Sequence, residues 1–237
     1  MRPIGFSTGA LALDDFRTAL SILGGTTATA VELSALRQRE LQPLVEALDG
    51  LTLDKYSHIS VHLPSSIELE FECRLLDIVA QIPRDWPLIA HPNIITTPDK
   101  WRPLGERLCI ENMDKRKPVG QTARHLRDVF QQLPRASLCF DIGHAHQIDP
   151  TMGEAVLILE EFKGRMRQIH VSEVNSASKH DLISLEARKA FSIVSHLIPE
   201  SLPAVLESRW KTGPTPEEVQ CEIDIAGDLL RSTVLAG

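Results

Sequence analysis

Seven short apolar runs in this chain close on a carboxylate or an imidazole: Glu32, His62, His91, Glu111, Asp141, His170 and Glu207. His144 and His180 follow shortly after two of those runs. Carboxylates mixed with imidazoles, without thiolates, suit Zn2+, Mn2+, Fe2+ or Co2+ rather than an all-oxygen Ca2+ cage. Several acids gathered in one mouth would also repel one another unless a cation lay between them, so a divalent ion is expected. Taken singly, each residue has a plainer explanation as a solvated loop residue or a capped polar group. That explanation is kept for His58, His125 and His196, the last two on helical segments. His146 lies near the same segments but off their spacing, and Glu32 could equally be a structural partner for a basic residue.

The elements that must position these residues alternate along the whole chain. Runs at 3–7, 29–34, 58–63, 87–91, 107–111, 136–141, 167–171 and 203–207 are rich in Val, Ile, Leu and Phe. They are too apolar for one-sided alternation, as strands buried on both faces are. Between them lie helical patterns: 69–82, with Leu69, Cys73, Leu76 and Ala80 on one stripe, then 121–133 and 185–197. Thr215-Pro216-Glu217-Glu218 combines an N-cap, a proline at the first helical position and a capping-box Glu. Gly24-Gly25 and Pro134 end two earlier helices. Eight strand–helix units in 237 residues fit an α/β fold, a (β/α)8 TIM barrel occupying residues 1–237 as a single domain. A doubly wound open sheet is the alternative, but no GxGxxG follows the first strand and there is no P-loop. In a barrel all strand C-termini meet on one rim, which brings the ionisable residues together.

Bulk properties narrow the partners. A net charge of −7 argues against general nucleic-acid affinity, which needs a positive footprint. The four cysteines are scattered and form no CxxC pair, so neither a disulfide framework nor a thiolate zinc site is expected. With no signal-peptide pattern at the N-terminus and no apolar run long enough to span a bilayer, a cytoplasmic protein is expected.

Read together, Val61-His62-Leu63-Pro64, Ala90-His91-Pro92-Asn93, Cys109-Ile110-Glu111-Asn112, Phe140-Asp141-Ile142-Gly143-His144, Gln168-Ile169-His170-Val171 and Val205-Leu206-Glu207 form an ordered set. That set resembles the xylose isomerase-like TIM-barrel superfamily, which includes sugar isomerases and epimerases and the endonuclease IV type of AP endonuclease. The resemblance covers nearly the whole chain. It implies a shared metal site at Glu111, Asp141, His170 and Glu207. The endonuclease IV branch further implies a second ion at His62, His91 and a bridging Glu111. It implies a third at His144 and an Asp-x-His pair, which here reads Ser178-Lys179-His180 and lacks its Asp. Asp181 or a water is the expected substitute if the third site exists. One to three ions per chain, with Zn2+ or Mn2+ foremost, are therefore expected.

Two chemistries suit such a rim. Clustered metals would serve phosphoester hydrolysis, with Lys115, Arg116, Lys179 or Arg209 meeting the phosphate. A single metal would serve sugar isomerisation or epimerisation, with Glu111 and Glu207 as the acid–base pair and His144 on the substrate. The epimerases often carry a second Glu soon after the strand-five Glu and an Arg after the strand-seven His. This chain has neither, which favours hydrolysis. A compact, acidic chain favours a small sugar-like or phosphorylated substrate over damaged DNA. A barrel that binds a metabolite without turning it over is the remaining possibility.

Overall fold

The computed structural model describes residues 2–231. Its first half runs β1 (Ile4–Ser7), α1 (Thr8–Ala12), α2 (Phe16–Gly24), β2 (Ala30–Ser34), α3 (Gln38–Ala47), β3 (His58–His62), α4 (Phe71–Val79), β4 (Leu88–Ala90), α5 (Pro98–Trp101) and β5 (Leu108–Glu111). There follow α6 (Ala123–Gln132), β6 (Ser137–Asp141), α7 (Ile142–Ile148), α8 (Gly153–Phe162) and β7 (Met166–Val171). The chain continues through β8 (Glu173–Val174), β9 (His180–Asp181), α9 (Leu185–Ser192), β10 (Ala204–Leu206) and α10 (Pro216–Leu229). Eight parallel strands close in the order β1-β10-β7-β6-β5-β4-β3-β2, while β8 and β9 form a separate antiparallel pair. The fold is a (β/α)8 barrel. Among the described residues no helix is long and apolar enough to cross a membrane.

Successive strand residues point to opposite faces, so parity decides what each one meets. Val31, Leu33, Val61, Leu88, Ala90, Ile110, Leu138, Phe140, Ile169, Ala204 and Leu206 belong to the main apolar core under the helices. The alternate set contains Glu32, Ser60, His62, Ile89, Cys109, Glu111, Cys139, Asp141, Gln168 and His170, all of them buried. Of these, Ile89, Cys109 and Cys139 form a small apolar cluster of their own, which plugs the barrel below the polar residues. The strands read as continuously apolar because their outward faces are covered by helices and their lower inward positions are plugged.

Each expected strand lies within one residue of an observed one at either end. His91 and Glu207 fall just past the last paired residues of β4 and β10. The pair β8–β9 has no counterpart among the expected strands, because two-residue strands are too short for propensity to mark. The expected helix over 185–197 stops at Ser192 and resumes as a 3-10 turn at Ser195–Leu197. The Ser192 hydroxyl there donates to the Lys189 carbonyl at 2.7 Å, a local bond that competes with the helical ladder. Thr215 caps α10 as expected, with the reciprocal Glu218 bond in place.

The stripe expected on α4 is corrected. Leu69 is 66% exposed and Cys73 is exposed, whereas Glu72, Leu75, Ile78 and Val79 are buried. The helix is rotated because Glu72 occupies an inward slot. Its carboxylate accepts from Thr96 N–H (2.8 Å), Thr96 Oγ1–H (2.7 Å), Thr97 N–H (2.9 Å) and Trp101 Nε1–H (2.8 Å). Burial works against the charge, yet those bonds hold Glu72 down at a pKa of about 2.

A depressed carboxylate stabilises the fold above its unfolded pKa and loses that contribution as pH falls through the folded value. Glu72→Gln is therefore expected to cost roughly 2–3 kcal/mol at neutral pH, judged from the size of the shift. The deficit should shrink as pH drops from about 4.5 toward 2. Urea titrations of both proteins at pH 7 and pH 3 check this; an equal deficit at both would contradict it.

Candidate metal centre

The barrel strand ends, the first turn of α7 and β9 bring every expected ligand to one rim, and Glu111 lies at its centre. Its Oε2 is 3.2 Å from His62 Nε2 and 3.1 Å from His91 Nε2. Its Oε1 is 3.3 Å from His170 Nδ1 and 3.4 Å from His144 Nδ1. One buried carboxylate thus faces four imidazoles, two on each oxygen.

Hydrogen bonds to the far ring nitrogens set what these imidazoles present. His62 Nδ1–H donates to the Leu63 carbonyl at 2.7 Å, which leaves Nε2 toward Glu111. His170 Nε2–H donates to Glu32 Oε2 at 3.0 Å, which leaves Nδ1 facing Glu111 and Glu207, the latter at 3.5 Å. Neutral rings so oriented direct a lone pair at a carboxylate oxygen, and something positive has to lie between them. Burial would keep His62 uncharged, but Glu111 and Glu32 outweigh it and raise His62 to about 9. A metal ion bound there could take the place of that proton.

Asp141 closes β6 and caps α7: its Oδ1 accepts the His144 N–H at 2.7 Å. Its Oδ2 is buried without a hydrogen-bond partner. Burial and the charges of Glu111 and Glu207, against the pull of His144, push Asp141 up to about 7. An orphaned carboxylate oxygen beside two other acids fits a cation. Asn112 holds the strand ends in register, donating to the Asp141 carbonyl at 2.8 Å and accepting the Asp141 N–H at 2.7 Å. A Cβ on Gly143 would come within 2.2 Å of the Ser172 carbonyl, so only glycine lets α7 approach the end of β7 this closely.

Four overlapping sets have ligand atoms within 4.8 Å of one another: Glu111, Asp141, His170 and Glu207; His62, His91 and Glu111; Asp141, His144 and His180; and Glu32, His62, His170 and Glu207. These groups could hold metal ions. The third set differs from expectation. Asp181 does not complete it: the residue is exposed and accepts from Asn175 Nδ2 at 2.7 Å. Asp141 stands beside His144 and His180 instead. Ser178, where an Asp was sought, is tied through its hydroxyl to Gln147.

Below the rim runs a buried polar column. Gln168 Nε2–H donates to Glu32 Oε2 at 2.6 Å, Ser60 Oγ–H donates to the same oxygen at 3.2 Å, and Gln168 Oε1 lies 2.7 Å from His58 Nε2. Glu32 is therefore the partner that orients His170. His58, expected to be a solvated loop residue or a capped polar group, is the lowest link of the column, its ring satisfied by Gln168. His146 packs edge-on against Phe191, with ring centroids 5.7 Å apart.

The rim opens into a cavity of about 820 Å³. Arg116, Lys179 and Arg209 line it; Lys115, also expected there, is exposed and absent from the lining. Arg116 is spent on Asp114, with Nη2 2.8 Å from Oδ2. Asp114 itself is not among the expected residues; it is buried, with Oδ2 3.9 Å from His144 Nε2. Lys117, Trp210 and Lys211 also escape sequence reasoning, since a loop charge carries no periodic signal.

No protein-family model matches this chain. No curated protein matches it either. Solved structures do. It is similar to a D-tagatose 3-epimerase-like protein (TM-score 0.63, 15% identity, 97% of each chain covered). It is similar to endonuclease IV from Thermus thermophilus (TM-score 0.59, 17% identity, 96% of this chain and 98% of that one). It is also similar to a xylose isomerase-like TIM barrel protein from Mycobacterium smegmatis in complex with magnesium (TM-score 0.59, 11% identity, 97% and 98%). The chain has the fold of the xylose isomerase-like TIM barrels. Identities this low establish the fold and leave the reaction to the site.

Partners that orient a ligating histidine typically matter about 10–100-fold in metal affinity. Glu32→Gln is expected to weaken divalent-metal binding by a factor in that range, measured by chelator competition, with the fold retained by circular dichroism. Unchanged affinity would remove Glu32 from the centre.

Proposed function

We propose that this chain is a divalent-metal-dependent hydrolase that cleaves a phosphoester bond in a small phosphorylated substrate. The observation that carries the reading is the division of Glu111, with one oxygen on His62 and His91 and the other on His170 and His144. A carboxylate so divided suits a bridge between two ions. Glu111, Asp141, His170 and Glu207 would hold one ion, and His62 and His91 with Glu111 a second. His144 and His180 with Asp141 would hold a third where one binds. Imidazoles outnumber carboxylates in this donor set, which favours Zn2+, with Mn2+ next.

When bound, such ions neutralise charge on a phosphoryl group and bring the pKa of water down toward neutrality. The protein's own contribution is to exclude solvent and to place charge. Glu207, its side chain 12% exposed, is the most open acid of the four-residue set and would orient a water at the cavity. Against burial, His170 and His180 hold its carboxyl down at about 2, so it would accept hydrogen bonds rather than a proton. His144, between Asp141 and Asp114, is placed to carry a proton on the other side. Arg209 and Lys179 give an otherwise acidic chain a locally positive mouth, suited to an anionic substrate. The cavity fits a small molecule better than a duplex.

The rival reading, a sugar isomerase or epimerase, is favoured by the four-residue set standing complete without His62 or His91. It needs Glu111 free to move protons, whereas both of its oxygens already face histidines. Metal stoichiometry separates the two readings. Protein purified without added metal is expected to carry at least two ions per chain and to hydrolyse phosphoesters. The His62→Ala/His91→Ala double variant should lose one ion and at least the roughly 10–100-fold that even a supporting partner of a ligand contributes. A single ion in the wild type, unchanged in the variant, together with isomerase activity on sugars, would favour the rival reading.

A further inference from the structure

The cations around the mouth are not equivalent. Arg116 is neutralised by Asp114, and Lys179 and Lys211 are exposed. Arg209, half-buried in the loop after β10, donates its Nη2–H to the Gly9 carbonyl at 3.3 Å. Lys117 is half-buried, lines the cavity, and forms no ion pair among the described residues. Its Nζ–H donates once, to the Ser65 carbonyl at 2.8 Å. An ammonium has three donors, so two remain for something else. Partial burial of a charge with no carboxylate in contact is unfavourable, and Asp114 and Glu111, felt only at a distance, do not outweigh that burial.

The loop is built to keep Lys117 where it is. Met113 N–H donates to the Gly120 carbonyl at 2.9 Å, Lys117 N–H to the Asp114 carbonyl at 3.1 Å, and Gln121 Nε2–H to the Lys117 carbonyl at 2.6 Å. Gly120 has φ +91°, and a Cβ there would come within 2.7 Å of Pro92 Cγ, so a glycine closes the loop against the segment after β4. The Ser65 carbonyl also accepts Asn93 Nδ2–H at 3.2 Å. The loops after β3, β4 and β5 therefore meet at one carbonyl, and Lys117 is the cation fixed there. Ser65 and Asn93 follow His62 and His91 closely in the chain, which sets Lys117 on the histidine-pair side of Glu111.

We propose that Lys117 is an anion-recognition residue of the site, in addition to Arg209 and Lys179, taking an oxygen of the substrate's phosphate group beside His62 and His91. The assignment rests on the hydrolase reading but is tested separately from it. Calorimetric titration of the metal-bearing protein with inorganic phosphate is expected to show binding, and acetate at the same concentration is expected to bind more weakly. Lys117→Met should weaken phosphate binding by about 10–100-fold, the range for losing a charged hydrogen bond, with metal content and melting temperature unchanged. Lys117→Gln, which keeps a donor for the Ser65 carbonyl, should be as weak, and Lys117→Arg should recover part of the affinity. Equal phosphate affinity in wild type and both neutral variants, no phosphate binding by the wild type, or acetate binding as tightly as phosphate would each overturn the proposal. A failure of the hydrolase reading shows up elsewhere, as a single ion per chain.

Discussion

Acidic side chains buried in one pocket repel one another, and the upper end of this barrel gathers Glu32, Glu111, Asp141 and Glu207 together. Imidazoles placed between them relieve the repulsion only when something positive is shared across each His–carboxylate contact. That constraint explains the otherwise unfavourable features of the rim. Asp141 has an oxygen with no donor, and His62 and His170 are turned by outside partners so that the wrong nitrogen for a simple hydrogen bond faces inward. A bound cation would resolve all of these at once.

The remainder of the fold holds the groups in this high-energy arrangement. The outward faces of the strands are buried under the helices, so no strand can rotate to release its acid. Asn112 locks the ends of β5 and β6, Gly143 lets α7 seat its first turn on Asp141, and the column of Gln168, Glu32 and His58 fixes His170 from below. The outer layer uses the same device at Glu72, where a buried carboxylate is satisfied entirely by protein donors and needs no ion. Glu72 and Asp141 are a natural contrast: both are buried, and only Asp141 has an oxygen unmet.

Much of this is legible in the sequence, because a period of two is rigid: once the apolar runs are strands, Glu111, Asp141, His170 and their fellows must share a face and an end. What stays hidden depends on contacts between distant segments. The role of Glu32 is set by pairing across the barrel to His170, and no local pattern reports it. The orientation of α4 escapes a sequence reading because a lone Glu in an apolar stripe looks like a surface residue until Thr96, Thr97 and Trp101 are seen to satisfy it. Asp181 is the nearest acid in sequence to His180 and lines the same cavity, but it is exposed and held by Asn175, and Asp141 stands beside His144 and His180 from another strand. Asp114 and Lys117 lie in an irregular loop whose path is decided by Gly120 and Pro92 rather than by periodicity.

The central claim is that Glu111 bridges two ions. Crystals of the protein grown with Zn2+ and measured at the zinc absorption edge test it most directly, since anomalous peaks locate ions without reference to activity. The account predicts two peaks roughly 3.5–4 Å apart, as in other two-metal sites, one beside His62 and His91 and one beside Asp141, His170 and Glu207, with Glu111 between them. A single peak, with His62 and His91 contacting only Glu111, would contradict it.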